Sequence, residues 1–215
     1  MKKLLAFLMV FVIGASVYAQ IQIPDRWMDS AYWQFRGDRL FGTSENARLA
    51  KVNLVVPQSG AMIYEFNVRY ESGAEDGHGG FGIHIFADQA LNRNTWGAGK
   101  SYLLWLNYDE NPRDPKIPKG LSAQVYRSVT HTYMELVESI SLSEYERFLT
   151  PENLSKIISF KITADGDTGE IRVYDPTDAE GRNYFLYTIN PRDIPLKGDY
   201  VVLRTNGMRL SFAME

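Results

Sequence analysis

Five residues are of a type and spacing that could handle a ligand: His84, Trp105, Asn107, Gln124 and Tyr126. His84 stands between two isoleucines in GGFGIHIFAD, residues 79–88. An imidazole placed there could move a proton, face a ligand, or mark the polar side of an ordinary strand. Trp105 and Asn107 alternate in SYLLWLNYD, and Gln124 and Tyr126 alternate in LSAQVYRS, each on the side opposite its strand's apolar set. An indole or phenol stacks on the C–H face of a sugar ring while amides bind its hydroxyls, so these residues on one surface would suit a glycan. The plainer alternative is that each ring covers a second sheet face or packs at a subunit contact. For His84 the plainer reading is the wetter side of a half-exposed strand.

Other chemistries find less material. The chain has three histidines and no cysteine. His78, His84 and His131 are not spaced as a zinc set, and no H-x-x-x-H or H-E-x-x-H occurs. No G-x-S-x-G elbow presents a nucleophilic serine. Two acid-rich loops, Asp165-Gly166-Asp167-Thr168-Gly169-Glu170 and Glu75-Asp76-Gly77, are the places a structural calcium ion would use. Neither has the full set of spaced oxygens that calcium takes, and Asp and Gly equally serve a plain hairpin turn. No cofactor is otherwise expected. The cations Arg48, Lys51, Arg69, Arg93 and Lys100 are scattered among acids and read as solvated faces.

The elements that must position these residues are strands. From Leu49 onward period-2 runs bounded by Gly, Asn, Asp or Pro outnumber helical patterns. In AMIYEFNVRYE, Met62, Tyr64, Phe66, Val68 and Tyr70 share one face. Phe81, Ile83 and Ile85 oppose Gly82, His84 and Phe86, and Met208, Leu210, Phe212 and Met214 alternate with polar or small residues. HTYMELVES, holding His131, reads as a strand, whereas ENPRDPKIPKG is too rich in proline to be a central one. SLSEYERFLTPENLSKI is the one helical stretch: Ser141 and Glu144 have capping-box spacing, and Pro151 suits a second start after Thr150. Asn206-Gly207 supplies a tight hairpin turn. The expectation is an all-β chain of about ten strands in a two-sheet antiparallel sandwich, with a short helical insertion near 141–157.

At the amino terminus, MKKLLAFLMVFVIGASVYAQ has two lysines, an apolar run of about a dozen residues and a V-Y-A cleavage site. Residues 1–19 therefore read as a secretory signal peptide, and residues 20–215 as a single β-sandwich domain, exported to the periplasm or cell surface. The run is shorter than the ~20 residues of a spanning helix, so no membrane span is expected after cleavage. The formal charge of −3, without basic clusters, argues against nucleic acid as a partner. The 13 tyrosines suit a sheet-rich protein or an aromatic recognition face.

Several segments in order carry a family likeness: a W-x-F opening at Trp33 and Phe35, YEFNVRY, GGFGIHIFA, SYLLWLNY, FKITADGDTGEIRVYD and GDYVVLRTNGMRLSFAM. From about Ala31 to Met214 the chain resembles the concanavalin A-like lectin and glucanase superfamily, which includes laminin G-like modules. The resemblance implies a jelly-roll whose concave face or rim loops bind sugar polymers, and whose rim in some members holds calcium. Hydrolytic members carry E-x-D-x-x-E or a variant on one strand, and YEFNVRYE, SYLLWLNYD and EIRVYD all lack it. Glu65 and Glu71 share a face but stand ~20 Å apart at ~3.3 Å per residue. Glycosidase carboxylate pairs lie within ~10 Å. The expected function is thus non-catalytic carbohydrate binding through His84, Trp105, Asn107, Gln124 and Tyr126. A structural or assembly subunit with a protein partner is the alternative, and a glycan hydrolase with carboxylates from separate strands ranks third.

Overall fold

A computed structural model describes residues 32–43, 48–91, 93–178 and 183–214. The expected signal peptide lies outside the described residues. One sheet has seven strands, ordered β1 (Trp33–Arg36), β2 (Arg39–Gly42), β13 (Met208–Met214), β4 (Ala61–Gly73), β9 (Ile158–Asp165), β10 (Glu170–Tyr174) and β11 (Asn183–Thr188). The other has six, ordered β3 (Ala50–Ser59), β12 (Lys197–Asn206), β5 (His78–Ala87), β6 (Ser101–Asp109), β7 (Gly120–Ser128) and β8 (Met134–Ser141). Neighbouring strands run antiparallel throughout, and the two sheets form the expected sandwich.

The alternation in the sequence decides which side chains lie between the sheets. Tyr64, Phe66 and Val68 of β4 are buried, while the alternating Ile63 and Glu65 are exposed. Phe81, Ile83, Phe160 and Phe212, from three strands of both sheets, sit in one core cluster. Their rings interlock: Phe81 meets Phe160 edge-on at 5.5 Å between centroids, and Phe66 stacks on Phe160 at 5.7 Å. Trp33 contacts Phe212 at 5.9 Å, which fastens the edge strand β1 to the core. Asn206-Gly207 turns β12 into β13 and so carries the chain from one sheet to the other, with Gly207 at φ +68°.

The insertion between β8 and β9 differs from its expected form. Ser143–Phe148 is a 3-10 helix whose N-cap is Leu142, with no side-chain cap, because β8 continues through Ser141. The Ser141–Glu144 capping box is therefore not formed. The second start is as expected: α1 (Pro151–Leu154) begins after Thr150, whose side chain accepts from the Asn153 amide. His131 lies in the β7–β8 loop and not in a strand, where its Nδ1 accepts from the Gly99 amide at 3.1 Å. Among the described residues no helix is long and apolar enough to cross a membrane.

Candidate functional site

Strand register brings the five expected residues onto one face of the six-stranded sheet, the face turned away from the other sheet. One cross-strand row runs Lys51, Arg204, Gly82, Trp105, Gln124, Ser139. The next runs Asn53, Val202, His84, Leu103, Tyr126, Leu136, and a third holds Gly80, Asn107 and Ser122. Side chains of directly paired residues emerge on the same side, so these rows form a continuous surface.

That surface is not an open aromatic platform. His84 is fully buried, and Trp105, Asn107 and Gln124 are buried as well; Tyr126 is half-buried. Their polar atoms are largely turned on one another. Trp105 Nε1 donates to Asn107 Oδ1 at 3.1 Å, the Tyr126 hydroxyl donates to Gln124 Oε1 at 2.7 Å, and Gln124 Nε2 donates to Ser122 Oγ at 3.0 Å.

The expected wet side of β5 is therefore dry. The connection from β5 to β6 lies over it: Ala98 packs with Val202, Ala87 and Tyr200 in a small apolar cluster beside His84. Lys51, expected as a solvated cation, is only 4% exposed and donates to Thr95 Oγ1 and the Gly97 carbonyl of the same connection. His84 Nδ1 is 2.9 Å from Ser101 Oγ. Burial, and then the positive neighbours Arg204, Lys51 and His131, push its pKa well below the usual imidazole range, so it is neutral at pH 7. Among the described residues its Nε2 has no partner.

Two residues missing from the sequence reading dominate the site. Arg204 is fully buried, with its guanidinium carbon 4.6 Å from the ring centroid of Trp96 and 5.9 Å from that of Trp105. Nη1 donates to the Trp96 carbonyl, whereas Nε and Nη2 have no partner among the described residues. A buried cation ordinarily has a carboxylate beside it. Here the ionisable neighbours are Lys51 and the neutral His84, and burial together with Arg204 lowers the Lys51 pKa to about 8. Trp96 is half exposed and its ring lies over Arg204. The signal for Arg204 was present in YVVLRTN, where a charge interrupts a central strand. Trp96 sits in a loop, and alternation says nothing about loops.

Both candidate calcium loops have local uses for their acids. Asp165 Oδ1 accepts from the amides of Asp167 and Thr168 in the β9–β10 turn, and Glu170 binds Arg172 at 2.7 Å. Glu75 accepts from the Gly73 amide, and Asp76 from that of His78. Among the described residues no group of three or more His, Asp or Glu is placed to hold a metal ion. Of the two separated carboxylates, Glu65 faces Lys161 at 3.4 Å and Glu71 accepts from Arg69 and Ser211.

No family model and no curated protein matches the chain. Among solved structures it is similar to a legume lectin-like domain from Entamoeba histolytica, at 11% identity and a TM-score of 0.51, covering 85% of this chain and 84% of that one. Further likenesses are to the CBM2 module of the evolved Dit of Lactobacillus casei BL23 phage J-1 (12% identity, TM-score 0.49, 84% and 75% covered) and to lectin I-B4 of Griffonia simplicifolia (13%, 0.45, 86% and 91%). The first supports the jelly-roll assignment. Identity this low extends the likeness to the fold alone.

Proposed function

We propose that this is an exported, non-catalytic carbohydrate-binding protein whose six-stranded outer face recognises a sugar carrying an anionic substituent, a carboxylate in the first instance. The observation that carries the reading is Arg204: two buried N–H donors without an acceptor among the described residues, between two indoles. A carboxylate accepts such a pair of parallel donors, and each charge-assisted bond is stronger than a neutral one. Because Arg204 has no exposed surface, the sugar reaches it only when the β5–β6 connection that carries Trp96 lifts from the face. Lys51 adds positive charge, and the half-exposed Trp96 offers a ring face to a sugar's C–H groups. Trp105 lies against the guanidinium at 5.9 Å, and Asn107, Gln124, Tyr126 and neutral His84 complete the same face.

The competing reading makes the protein a structural or assembly subunit of an extracytoplasmic complex. The mutual hydrogen bonding of Trp105, Asn107, Gln124 and Tyr126 favours it, since polar groups already paired have less to offer a sugar.

Titration calorimetry with polygalacturonate and alginate, against neutral glucans and galactans, separates the two. Binding of the acidic polymers alone, weakened about tenfold by Trp96→Ala as expected for loss of one stacked ring and abolished by Arg204→Gln, supports the proposal. Trp96 is half exposed, so its variant tests the site without touching the core. No binding to any acidic glycan, or equal binding of neutral ones, overturns it. Self-association in light scattering without glycan binding would favour the assembly reading.

A further inference from the structure

A second feature stands apart from the Arg204 face. Between the sheets, at the end away from the β9–β10 turn, is a cavity of about 430 Å³. Its walls come from both sheets: Val68 of β4, Phe160 of β9 and Leu210 of β13 on one side, Phe81 of β5, Leu106 of β6 and Leu121 of β7 on the other. Interiors of this kind normally close to near-crystalline density, and a void this size forgoes dispersion contacts along its whole lining. The volume instead falls within the ~300–1,000 Å³ of small-molecule sites, and the lining has their largely apolar character.

The topology explains why the cavity has a mouth. β8 is the edge strand of the six-stranded sheet and β9 lies inside the seven-stranded one, so residues 142–157 must cross from one layer to the other. The crossover sets Leu149 and Leu154 on the cavity. It is held to the sheet by Glu146, whose Oε1 accepts from the Leu121 amide at 2.8 Å. It buries no residue within its 3-10 helix or α1, and it leaves Phe148, Leu149 and Ile157 exposed beside that lining. Such a segment, with few buried contacts, is the kind that opens locally at small cost.

The polar fittings narrow the ligand. The charged group on the lining is the Glu75 carboxylate, held by the Gly73 amide at 3.2 Å. Tyr108 is beside it, with its hydroxyl donating to Glu110 at 3.0 Å. A carboxylate at the wall repels an acidic head group and tolerates a hydroxyl. We propose that this inter-sheet cavity binds an uncharged apolar small molecule, such as a long-chain alcohol, entering beneath the crossover 142–157. This site does not depend on the glycan reading.

The test uses the neutral fluorophore N-phenyl-1-naphthylamine with the purified protein. The expected result is saturable enhancement at one site per chain, displaced by hexadecanol and at least tenfold less well by palmitate. Leu154→Trp, from the crossover, and Val68→Phe, from the sheet wall, each fill the space and should cut binding tenfold or more, with thermal midpoints retained in at least one. The double variant Phe148→Ser/Ile157→Ser, which alters only the exposed surface, should leave binding within twofold. Absence of saturable binding overturns the proposal. So does binding that survives both filling variants, or binding lost only when Phe148 and Ile157 are changed, because the probe would then sit on the surface.

Discussion

Arg204 and Trp105 meet above Gly82. The three are register partners on adjacent strands, and the missing side chain in the middle lets guanidinium and indole approach from either side to 5.9 Å. A Cβ on Gly82 would collide with the Leu104 carbonyl oxygen and come within 2.9 Å of the Trp105 Cα. One on Gly80 would come within 2.6 Å of the indole Cε2. The glycines flanking Phe81 thus make room for Trp105 and the β6 backbone.

Gly82→Ala should consequently destabilise the protein by about 3 kcal/mol, the upper range for overpacking a rigid neighbour. Urea unfolding at neutral pH gives the value, and a loss below ~0.5 kcal/mol would show that β6 yields freely.

Lys51 makes stability depend on alkaline pH in an unusual direction. Its pKa is about 8 in the fold, owing to burial and Arg204, against an ordinary 10.5. Between these values the unfolded chain binds the extra proton, so raising the pH favours the folded state. The gain across the whole window is on the order of 3 kcal/mol. Tyr64 acts oppositely: burial raises its pKa, so the fold retains a proton that the unfolded chain releases above ~10. Stability should rise from pH 8 to 10 and then fall. Lys51→Met should flatten the rising limb, which unfolding midpoints at half-unit intervals will reveal; a flat wild-type profile would contradict a buried lysine.

Asp193 is the anchor at the opposite end of the sandwich. It accepts from the Tyr102 hydroxyl at 2.7 Å and from Arg127 Nε and Nη2 at 3.0 and 3.1 Å. Burial alone would raise its pKa, but the Tyr102 and Arg127 bonds outweigh it and hold the carboxyl below its usual range. Its contribution is therefore present above the unfolded-state value and lost as the pH falls through the folded one. Asp193→Ala should cost about 2 kcal/mol at pH 7, as expected for hydrogen bonds to a charged group. Its deficit should shrink on acidification, measured by denaturation at pH 7 and pH 3.

Glu146 ties the crossover to β7, so Glu146→Ala should loosen that segment selectively. Amide hydrogen exchange should quicken over residues 143–157 while the β4 and β12 amides keep their protection, with a global loss of about 1 kcal/mol. Uniformly faster exchange would mean that the crossover is integral to the core.

Much of the architecture could be read before any coordinates. Period-2 alternation identified the inward faces of β4, β5, β9 and β13, because a half-buried strand must separate its apolar side chains from its polar ones. The helix start at Pro151 was legible from Thr150 and proline chemistry. The Ser141–Glu144 box misled because capping residues compete with strand pairing, and β8 gains more by pairing with β7 through Ser122↔Ser141. The short β1–β2 hairpin was only half visible, as a W-x-F signature without a full alternating run.

By itself, then, the sequence determined which residues share a face: His84, Trp105, Asn107, Gln124 and Tyr126 do lie together, since side-chain parity along a strand is a local property of the backbone. Only the tertiary structure decided whether that face meets water. A connection from β5 to β6 folds across it, buries Lys51 and His84, and sets Trp96 against Arg204, and such long-range coverage leaves no period in the chain. The inter-sheet cavity likewise exists only through the separation of two layers that the crossover bridges.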